Sequence, residues 1–170
     1  MQNSNRFDVI IIGAGIVGCY TASALAQLGY KVCVLEKNPE SGYKSSCTGI
    51  ISKACLDLLP AVENGVQFEA SSAKIFAPSG KFIRIERNDP QAYILDRPSL
   101  DRAMALQAAQ SGASLHYSTL ALSTSVNSQC AEVHASFHNG QVVFQSSVII
   151  IASGPGTTLT RDAGLGQLSE

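Results

Sequence analysis

The chain has 170 residues, with twelve Lys and Arg against thirteen Asp and Glu, which gives a formal net charge of −1. This length suits one domain with its own core, and the near-neutral charge excludes attraction of nucleic acid or anionic lipid by bulk electrostatics. Five scattered cysteines without zinc-site or disulfide spacing predict a reduced, cytoplasmic protein, and we expect neither an export signal nor a transmembrane span.

A glycine-rich turn follows the first apolar run. Phe7 to Ile12 is typical of a parallel strand buried on both faces, and the GAGIVG after it has the G-x-G-x-x-G spacing. In this motif the first glycine permits a tight turn, the second lets the backbone approach a pyrophosphate, and the third lets helix pack on strand. The sequence therefore predicts phosphate binding at a helix N-terminus. The predicted binding residues are Ile12, Gly13, Ala14, Gly15, Ile16, Val17 and Gly18.

A helix is predicted directly after this turn. Val17, Tyr20, Ala24 and Leu28 recur at helical intervals along one face, and Gly29 then ends the helix. A helix between two apolar strands is the middle of a βαβ dinucleotide-binding unit.

The second strand of that unit ends in an acid. Residues 31–35 are mostly apolar, and Glu36 follows them, eighteen positions past Gly18. Glu36 is expected to accept hydrogen bonds from a ribose diol, with Lys37 beside it, and its charge repels the 2′-phosphate of NADP. FAD and NAD both remain compatible with these residues.

The middle of the chain reads as short strands and one further helix. Ser52 is a candidate N-cap for a short helix, and residues 73–87 read as two strands around a turn at 78–80. Residues 98–112 predict a helix that returns the chain to the parallel sheet.

An antiparallel hairpin is predicted near the end of the chain. From Ala131 to Phe137 small or apolar residues alternate with polar ones, and Asn139 with Gly140 forms the turn signal. His134 and His138 share the polar face, where a solvated strand explains them without a metal, so no metal site is predicted. His116 is expected to be structural.

Three segments resemble one flavoprotein family, which includes aromatic hydroxylases and geranylgeranyl reductases. They are DVIIIGAGIVG with VCVLEKN, then YILDRPSLDRAMALQAAQSGASLHYSTLA, and finally VIIIASGPGTTLTRDAGL. The second segment implies that Arg97 approaches the FAD pyrophosphate or ribityl chain and that Ala121 neighbours the adenine. The third implies cofactor contacts from Ala152 and Gly154, with Ser153 standing where the family usually has aspartate.

A fourth segment, KSSCTGIISKACLDLL, resembles the geranylgeranyl reductase branch of this family. The resemblance implies that Cys47, Thr48 and Gly49 lie near the isoalloxazine ring, and it makes Cys47 a candidate catalytic residue. The alternative is that Cys47 is a half-buried thiol that only fills space.

The resemblance implies an α/β fold and a division of the chain. We expect a Rossmann-like FAD-binding fold with a parallel sheet, a β-hairpin (meander) crossover and the start of a substrate-side antiparallel sheet. Residues 1–65 would form the Rossmann βαβ half, 66–95 a substrate-side β segment, and 96–170 the return helix, hairpin and last sheet strand. Because family members continue further, the chain is expected to be the N-terminal portion of such a protein.

The resemblance also implies a function. FAD is the expected cofactor, NAD(P)H is a candidate electron donor, and the expected reaction is reduction of double bonds in a prenyl lipid or another small molecule. A lipid substrate is compatible with peripheral membrane contact, and the oligomeric state stays open. The alternatives are an FAD-dependent aromatic monooxygenase and a nucleotide-binding module without turnover.

Overall fold

The computed structural model describes residues 5–43, 47–59, 65–138, 140–155 and 158–166. Two compact units divide the chain: unit 1 comprises Met1–Tyr43 with Asp101–Glu170, and unit 2 comprises Lys44–Leu100. The strands are β1 (Val9–Ile12), β2 (Val32–Leu35), β3 (Ile50–Ile51), β4 (Val66–Ala70), β5 (Ser72–Phe76), β6 (Phe82–Glu86), β7 (Ala92–Leu95), β8 (Ser114–His116), β9 (Thr119–Val126), β10 (Ala131–Phe137), β11 (Gly140–Ser146) and β12 (Val148–Ile151). The helices are α1 (Ile16–Gln27), α2 (Lys53–Asp57), α3 (Arg97–Gln110) and α4 (Leu159–Asp162).

A four-stranded parallel sheet forms the centre of unit 1, in the order β12-β1-β2-β8. Every residue of β1 and β2 is buried, as the apolar runs predict for strands covered on both faces. In this register Val9 lies beside both Val32 and Val148. The parallel sheet and its crossover helix confirm the predicted Rossmann-like α/β fold.

Helix α1 packs on the sheet through small residues. Its buried positions are Gly18, Cys19, Ala22 and Ser23, and a Cβ on Gly18 would lie 2.0 Å from the Gly13 carbonyl oxygen. Such close approach leaves no room for larger side chains on this face. The apolar face noted in the sequence is consequently turned away from the sheet. Its members Val17, Tyr20, Ala24 and Leu28 are all exposed, with Val17 71% and Leu28 74% accessible.

A three-stranded antiparallel sheet, in the order β11-β10-β9, is the second layer of unit 1. The alternation predicted for β10 is confirmed at Ala131, Val133 and Ala135, which are buried. Phe137 was predicted on the same face but is 44% exposed, because β10 ends there. Asn139, predicted in the hairpin turn, lies outside the described residues.

The two sheets of unit 1 share one apolar core. Phe7 and Ile10 from the β1 side pack with Val133 and Phe144 from the antiparallel layer. His116 stands edge-on to the rings of Phe7 and Phe144, at centroid distances of 6.2 and 5.3 Å. This aromatic packing places His116 in a structural role.

Helix α3 confirms the predicted return helix and has a defined start. The Asp96 carboxylate accepts hydrogen bonds from the Ser99 hydroxyl and amide, the pattern of an N-cap. Leu100, Met104 and Ala108, spaced by four residues, form its buried face. None of the described helices is both long and apolar enough to cross a bilayer.

Unit 2 contains a small antiparallel sheet, β3-β7-β4, and the separate hairpin β5-β6. The predicted hairpin turn at 78–80 is confirmed: Gly80 has φ +82°, and its amide donates a 2.9 Å hydrogen bond to the Ala77 carbonyl. Ser52 is the predicted N-cap of α2, since its hydroxyl accepts a 3.3 Å hydrogen bond from the Cys55 amide.

Candidate functional site

The glycine turn is held between the ends of three parallel strands. Gly13 has φ +108°, and a Cβ there would lie 2.5 Å from the Ala152 carbonyl oxygen, so no other residue fits. The Gly13 amide donates to the Leu35 carbonyl, and the Ala152 amide donates to the Ile12 carbonyl, each at 2.8 Å. The turn therefore lies at the carboxyl edge of the sheet, where open α/β sheets bind their ligands.

The start of α1 faces open space, and the Glu36 carboxylate lies beside the turn that leads into it. Apart from its two chain neighbours, no atom of the described residues lies within 4 Å of a Cβ placed on Gly15, the N-cap of α1. The first turn of α1 contains no acidic residue. The unpaired amides and the positive end of a twelve-residue helix are therefore available to an anion.

The Glu36 carboxylate lies at this turn and is held by backbone and side-chain donors. Its Oε2 accepts a 2.9 Å hydrogen bond from the Ala14 amide. Its Oε1 accepts bonds from the Asn38 amide at 2.9 Å and from the Asn38 side chain at 2.7 Å. A carboxylate offers about four lone-pair sites, so these three bonds leave capacity for a further donor such as a sugar hydroxyl.

A cavity of about 120 Å³ opens between these groups in unit 1. The predicted residues that line it are Ile12, Gly13, Glu36, Lys37, Ala121 and Ser153. The Ser153 hydroxyl oxygen is buried and has no hydrogen-bond partner among the described residues. A buried hydroxyl is normally paired, so this orphaned oxygen fits a ligand that would complete its hydrogen bonding.

The remaining predicted residues of unit 1 lie in the chain segments that flank the cavity. Ala14, Gly15, Ile16, Val17 and Gly18 continue from the turn into α1. Ala152 follows β12 directly and lies against Gly13, and Gly154 adopts φ +73° two residues later.

Sequence reasoning missed part of the cavity wall. Leu35, Thr119, Leu120, Pro155 and Leu159 also line it. Thr119 and Leu120 begin β9, and Leu159 begins α4, far in sequence from the glycine turn. All five lie within the segments that carry the family resemblance, but neither their residue type nor their spacing distinguishes them as binding residues. The Thr119 amide does, however, donate a 2.8 Å hydrogen bond to the Glu36 carbonyl, which ties β9 to the end of β2.

Four predicted site residues belong to unit 2. Gly49 has φ +74°, and a Cβ there would lie 2.4 Å from the Leu95 carbonyl oxygen and 3.3 Å from Cγ of Arg97. The structure therefore brings Gly49 and Arg97 together. Cys47 and Thr48 are exposed, so Cys47 does not fill space in a core.

Two thiols of unit 1 are unsuited to nucleophilic chemistry. Burial, with smaller contributions from the charges of Asp101 and Glu36, raises the pKa of Cys19 to about 12. Burial raises the pKa of Cys33 to about 12 as well. Both thiols therefore stay protonated near neutral pH and act as small core residues.

No group of His, Cys, Asp and Glu within the described parts of the chain is arranged to hold a metal ion. His134 Nε2 lies 3.9 Å from Glu132 Oε2 on the outer face of β10. His138 follows the strand with φ 45°, in the hairpin turn.

Comparison with known proteins places these features in a family context. Residues 8–85 match the family model of FAD dependent oxidoreductase domains. The chain is 30% identical over 165 residues to the digeranylgeranylglycerophospholipid reductase of Methanothrix thermoacetophila, covering 94% of this chain and 42% of that protein. It is 27% identical to the enzyme of the same name from Methanocaldococcus jannaschii, covering 94% of this chain and 41% of the relative. The chain thus spans about two fifths of the length of these relatives.

Solved structures give the same picture of the fold. A geranylgeranyl bacteriochlorophyll reductase-like protein from Thermoplasma acidophilum superposes with a TM-score of 0.82 at 27% identity, over 94% of this chain and 42% of that one. The p-nitrophenol 4-monooxygenase of Pseudomonas putida superposes with a TM-score of 0.77 at 17% identity, over 94% and 44% of the two chains. At that identity the monooxygenase supports the fold alone.

Proposed function

We propose that this chain is part of an FAD-dependent oxidoreductase and that unit 1 holds the adenosine diphosphate half of FAD in the cavity beside Gly13. The observation that supports this proposal is the hydrogen bond that the Ala14 amide donates to the Glu36 carboxylate. It joins a sugar-binding acid to a phosphate-binding turn, the pairing that an adenine dinucleotide requires.

Each part of the cavity has a distinct task in this proposal. The free amides at the start of α1 bind the diphosphate, and Glu36 accepts a hydrogen bond from the ribose. The Ser153 hydroxyl donates to a phosphate oxygen, which satisfies its buried oxygen. The apolar lining around Ala121 and Leu159 excludes water from the adenine.

We further propose that the protein serves the reduction of isolated carbon–carbon double bonds in a prenyl lipid. Flavin, when bound, supplies hydride transfer to such a bond. The names of the relatives from Methanothrix and Methanocaldococcus support this substrate class. NAD(P)H is the proposed source of the electrons.

A groove in unit 2 supports an apolar substrate. It has a volume of about 450 Å³ and runs between the sheet β3-β7-β4 and the hairpin β5-β6. Ile50, Phe68 and Ile94 line it from the sheet, while Ala73 and Ile85 line it from the hairpin. Burying a hydrocarbon chain against these apolar side chains is favourable, and the polar lining residues are Ser71, Ser72, Arg87 and Gln91.

Product analysis tests the substrate proposal. The flavin-loaded protein would be supplied with a chemical reductant. One sample would receive a geranylgeranyl lipid, and another would receive a phenol in the presence of air. We expect mass spectrometry to detect hydrogenated prenyl chains and no hydroxylated phenol. Hydroxylated phenol alone would favour the aromatic monooxygenase. A protein that retains flavin but converts neither substrate would favour the nucleotide-binding module.

A further inference from the structure

The segment that begins at Glu36 is bonded to the connection between β8 and β9. The Glu36 amide donates to the His116 carbonyl at 2.9 Å, and the Glu36 carbonyl accepts from the Thr119 amide at 2.8 Å. Two residues further on, the Asn38 carbonyl accepts a 2.9 Å bond from the Ser118 amide. These bonds continue the parallel pairing of β2 with β8 past the ends of both strands. The backbone at Glu36 and Asn38 is therefore fixed by the protein itself.

The residues after Asn38 restrict it further. Asn38 is half-buried and precedes Pro39, and a proline ring disfavours a helical backbone at the residue before it. Ser41 is buried, and its hydroxyl lies 3.2 Å from the hydroxyl of Tyr117, next to the same β8–β9 connection. Because the backbone on both sides of Asn38 is held, little conformational entropy remains to be lost when its side chain bonds to a neighbour.

The two bonds from Asn38 leave Glu36 with one open acceptor site. Oε1 of Glu36 accepts from the Asn38 backbone amide at 2.9 Å and from the Asn38 side-chain amide at 2.7 Å. An ionised carboxylate has about two lone-pair sites on each oxygen, so Oε1 is fully occupied. Oε2 accepts from the Ala14 amide and keeps one site. The open site thus belongs to the oxygen that already contacts the glycine turn.

We propose that Asn38 is a positioning residue for nucleotide binding. It fixes the plane of the Glu36 carboxylate, so that the open site on Oε2 accepts a hydrogen bond from one sugar hydroxyl of the dinucleotide. An asparagine suits this task because it donates two hydrogen bonds and leaves the negative charge of the acid in place. The inference rests on the proposed function, in which unit 1 holds the adenosine diphosphate half of FAD.

A double-mutant cycle tests whether Asn38 acts through Glu36. Asn38→Ala should lower FAD affinity by about tenfold, because a charge-assisted hydrogen bond that orients the acid is lost. In a Glu36→Ala background there is no carboxylate to orient, so adding Asn38→Ala should lower the affinity by less than about twofold. The control is Asn127→Ala, the same change at an exposed asparagine whose side chain accepts from the amides of Gln129 and Cys130. It should leave FAD affinity unchanged.

A pH profile gives a readout that a purely structural asparagine would not move. Asn38→Asp keeps the side-chain shape and places a second carboxyl group where the amide nitrogen lies 2.7 Å from Oε1 of Glu36. Two carboxylates this close share a proton, which then replaces the lost donor, and they release it at a higher pH than an isolated acid does. The affinity of Asn38→Asp for FAD, relative to the wild type, should therefore fall about tenfold between about pH 5 and about pH 8.

The ratio to the wild type at each pH removes the effect of other ionisable groups near the pair. Lys37 lines the same cavity, and burial raises the pKa of Cys19 to about 12, with a smaller contribution from Glu36. Burial lowers the pKa of His116, whose carbonyl is bonded to the Glu36 amide. All three residues are the same in both proteins, so only the pair at 36 and 38 differs.

The outcomes separate this inference from the proposed function. A wild type that binds no FAD, or a Glu36→Ala variant that binds it as tightly as the wild type, would overturn both. Three results would overturn the role of Asn38 while the proposed function stands. They are wild-type affinity in Asn38→Ala, equal losses from that change in both backgrounds, and a flat profile for Asn38→Asp relative to the wild type. Circular dichroism checks that each variant is folded, and the isosteric Asn38→Asp decides if Asn38→Ala is not.

Discussion

The carboxylate of Glu36 and the backbone amide of Ala14 are joined by a 2.9 Å hydrogen bond across 22 positions of sequence. The bond links the end of the second strand to the glycine turn after the first. It ties the proposed sugar-binding acid to the proposed phosphate-binding turn, so we expect a change at Glu36 to alter the affinity for the cofactor.

Replacing the acid tests its role in binding. Glu36→Gln keeps the size of the side chain but removes the charge, and hydrogen bonds to charged groups contribute about 1.5–3 kcal/mol. We expect FAD affinity measured by titration calorimetry to fall roughly tenfold to a hundredfold. Glu40→Gln, the same change at an exposed acid, is the control. Equal FAD affinities for the two variants would show that Glu36 does not contribute to FAD binding.

Replacing a glycine of the turn should lower the free energy of unfolding. Gly13→Ala forces a side chain into φ +108° and places its Cβ 2.5 Å from the Ala152 oxygen, whereas Gly29→Ala meets φ +88° but open space. Denaturant unfolding should show a loss of about 1–2 kcal/mol for Gly29→Ala, which is backbone strain alone. Gly13→Ala should lose about 3 kcal/mol or more, because the steric clash adds to the strain. Similar losses for both variants would contradict the packed turn.

Replacing Ser153 should have opposite effects on the stability of the cofactor-free protein and on FAD binding. Its hydroxyl is buried without a described partner, so Ser153→Ala should leave the cofactor-free protein as stable as before or raise its unfolding free energy by about 1 kcal/mol. The same change should weaken FAD binding, because the ligand loses a donor. Ser146→Ala is the control, since the Ser146 hydroxyl already donates to the Val148 carbonyl at 2.9 Å. That variant should lose about 1 kcal/mol.

His116 should make the fold sensitive to acid. Burial lowers the pKa of His116 below its ordinary value of 6.5, so the folded state resists protonation that the unfolded chain accepts. The stability that this neutral ring provides is complete above pH 6.5 and declines as the pH falls from there toward the lowered folded-state pKa. Unfolding curves across this range should show the decline, and His116→Phe should reduce it while keeping the ring contacts with Phe7 and Phe144.

Local patterns predicted the structure around the glycine turn. The buried strands β1 and β2, the glycine turn and the position of Glu36 follow from the order of residues within the first 36 positions. In this segment the turn chemistry and the strand pattern specify the same structure, so little tertiary information was needed.

Features set by tertiary packing could not be predicted in this way. The apolar stripe of α1 that begins at Val17 is exposed, because the helix approaches the sheet through Gly18 and Ala22 instead. Thr119 and Leu159 reach the cavity through the packing of β9 and α4, and although both lie in segments that carry the family resemblance, their residue types and spacing do not show that they line it. Phe76 and Phe82 likewise fit a strand pattern, and only the structure shows that the hairpin leaves both of them exposed.

The cofactor content of the purified protein shows whether it binds FAD. We predict a flavin absorbance spectrum and, after release by heat, the mass of FAD, with both strongly reduced in Glu36→Gln and retained in Glu40→Gln. A folded protein that takes up no adenine dinucleotide when FAD is added in excess would contradict the account.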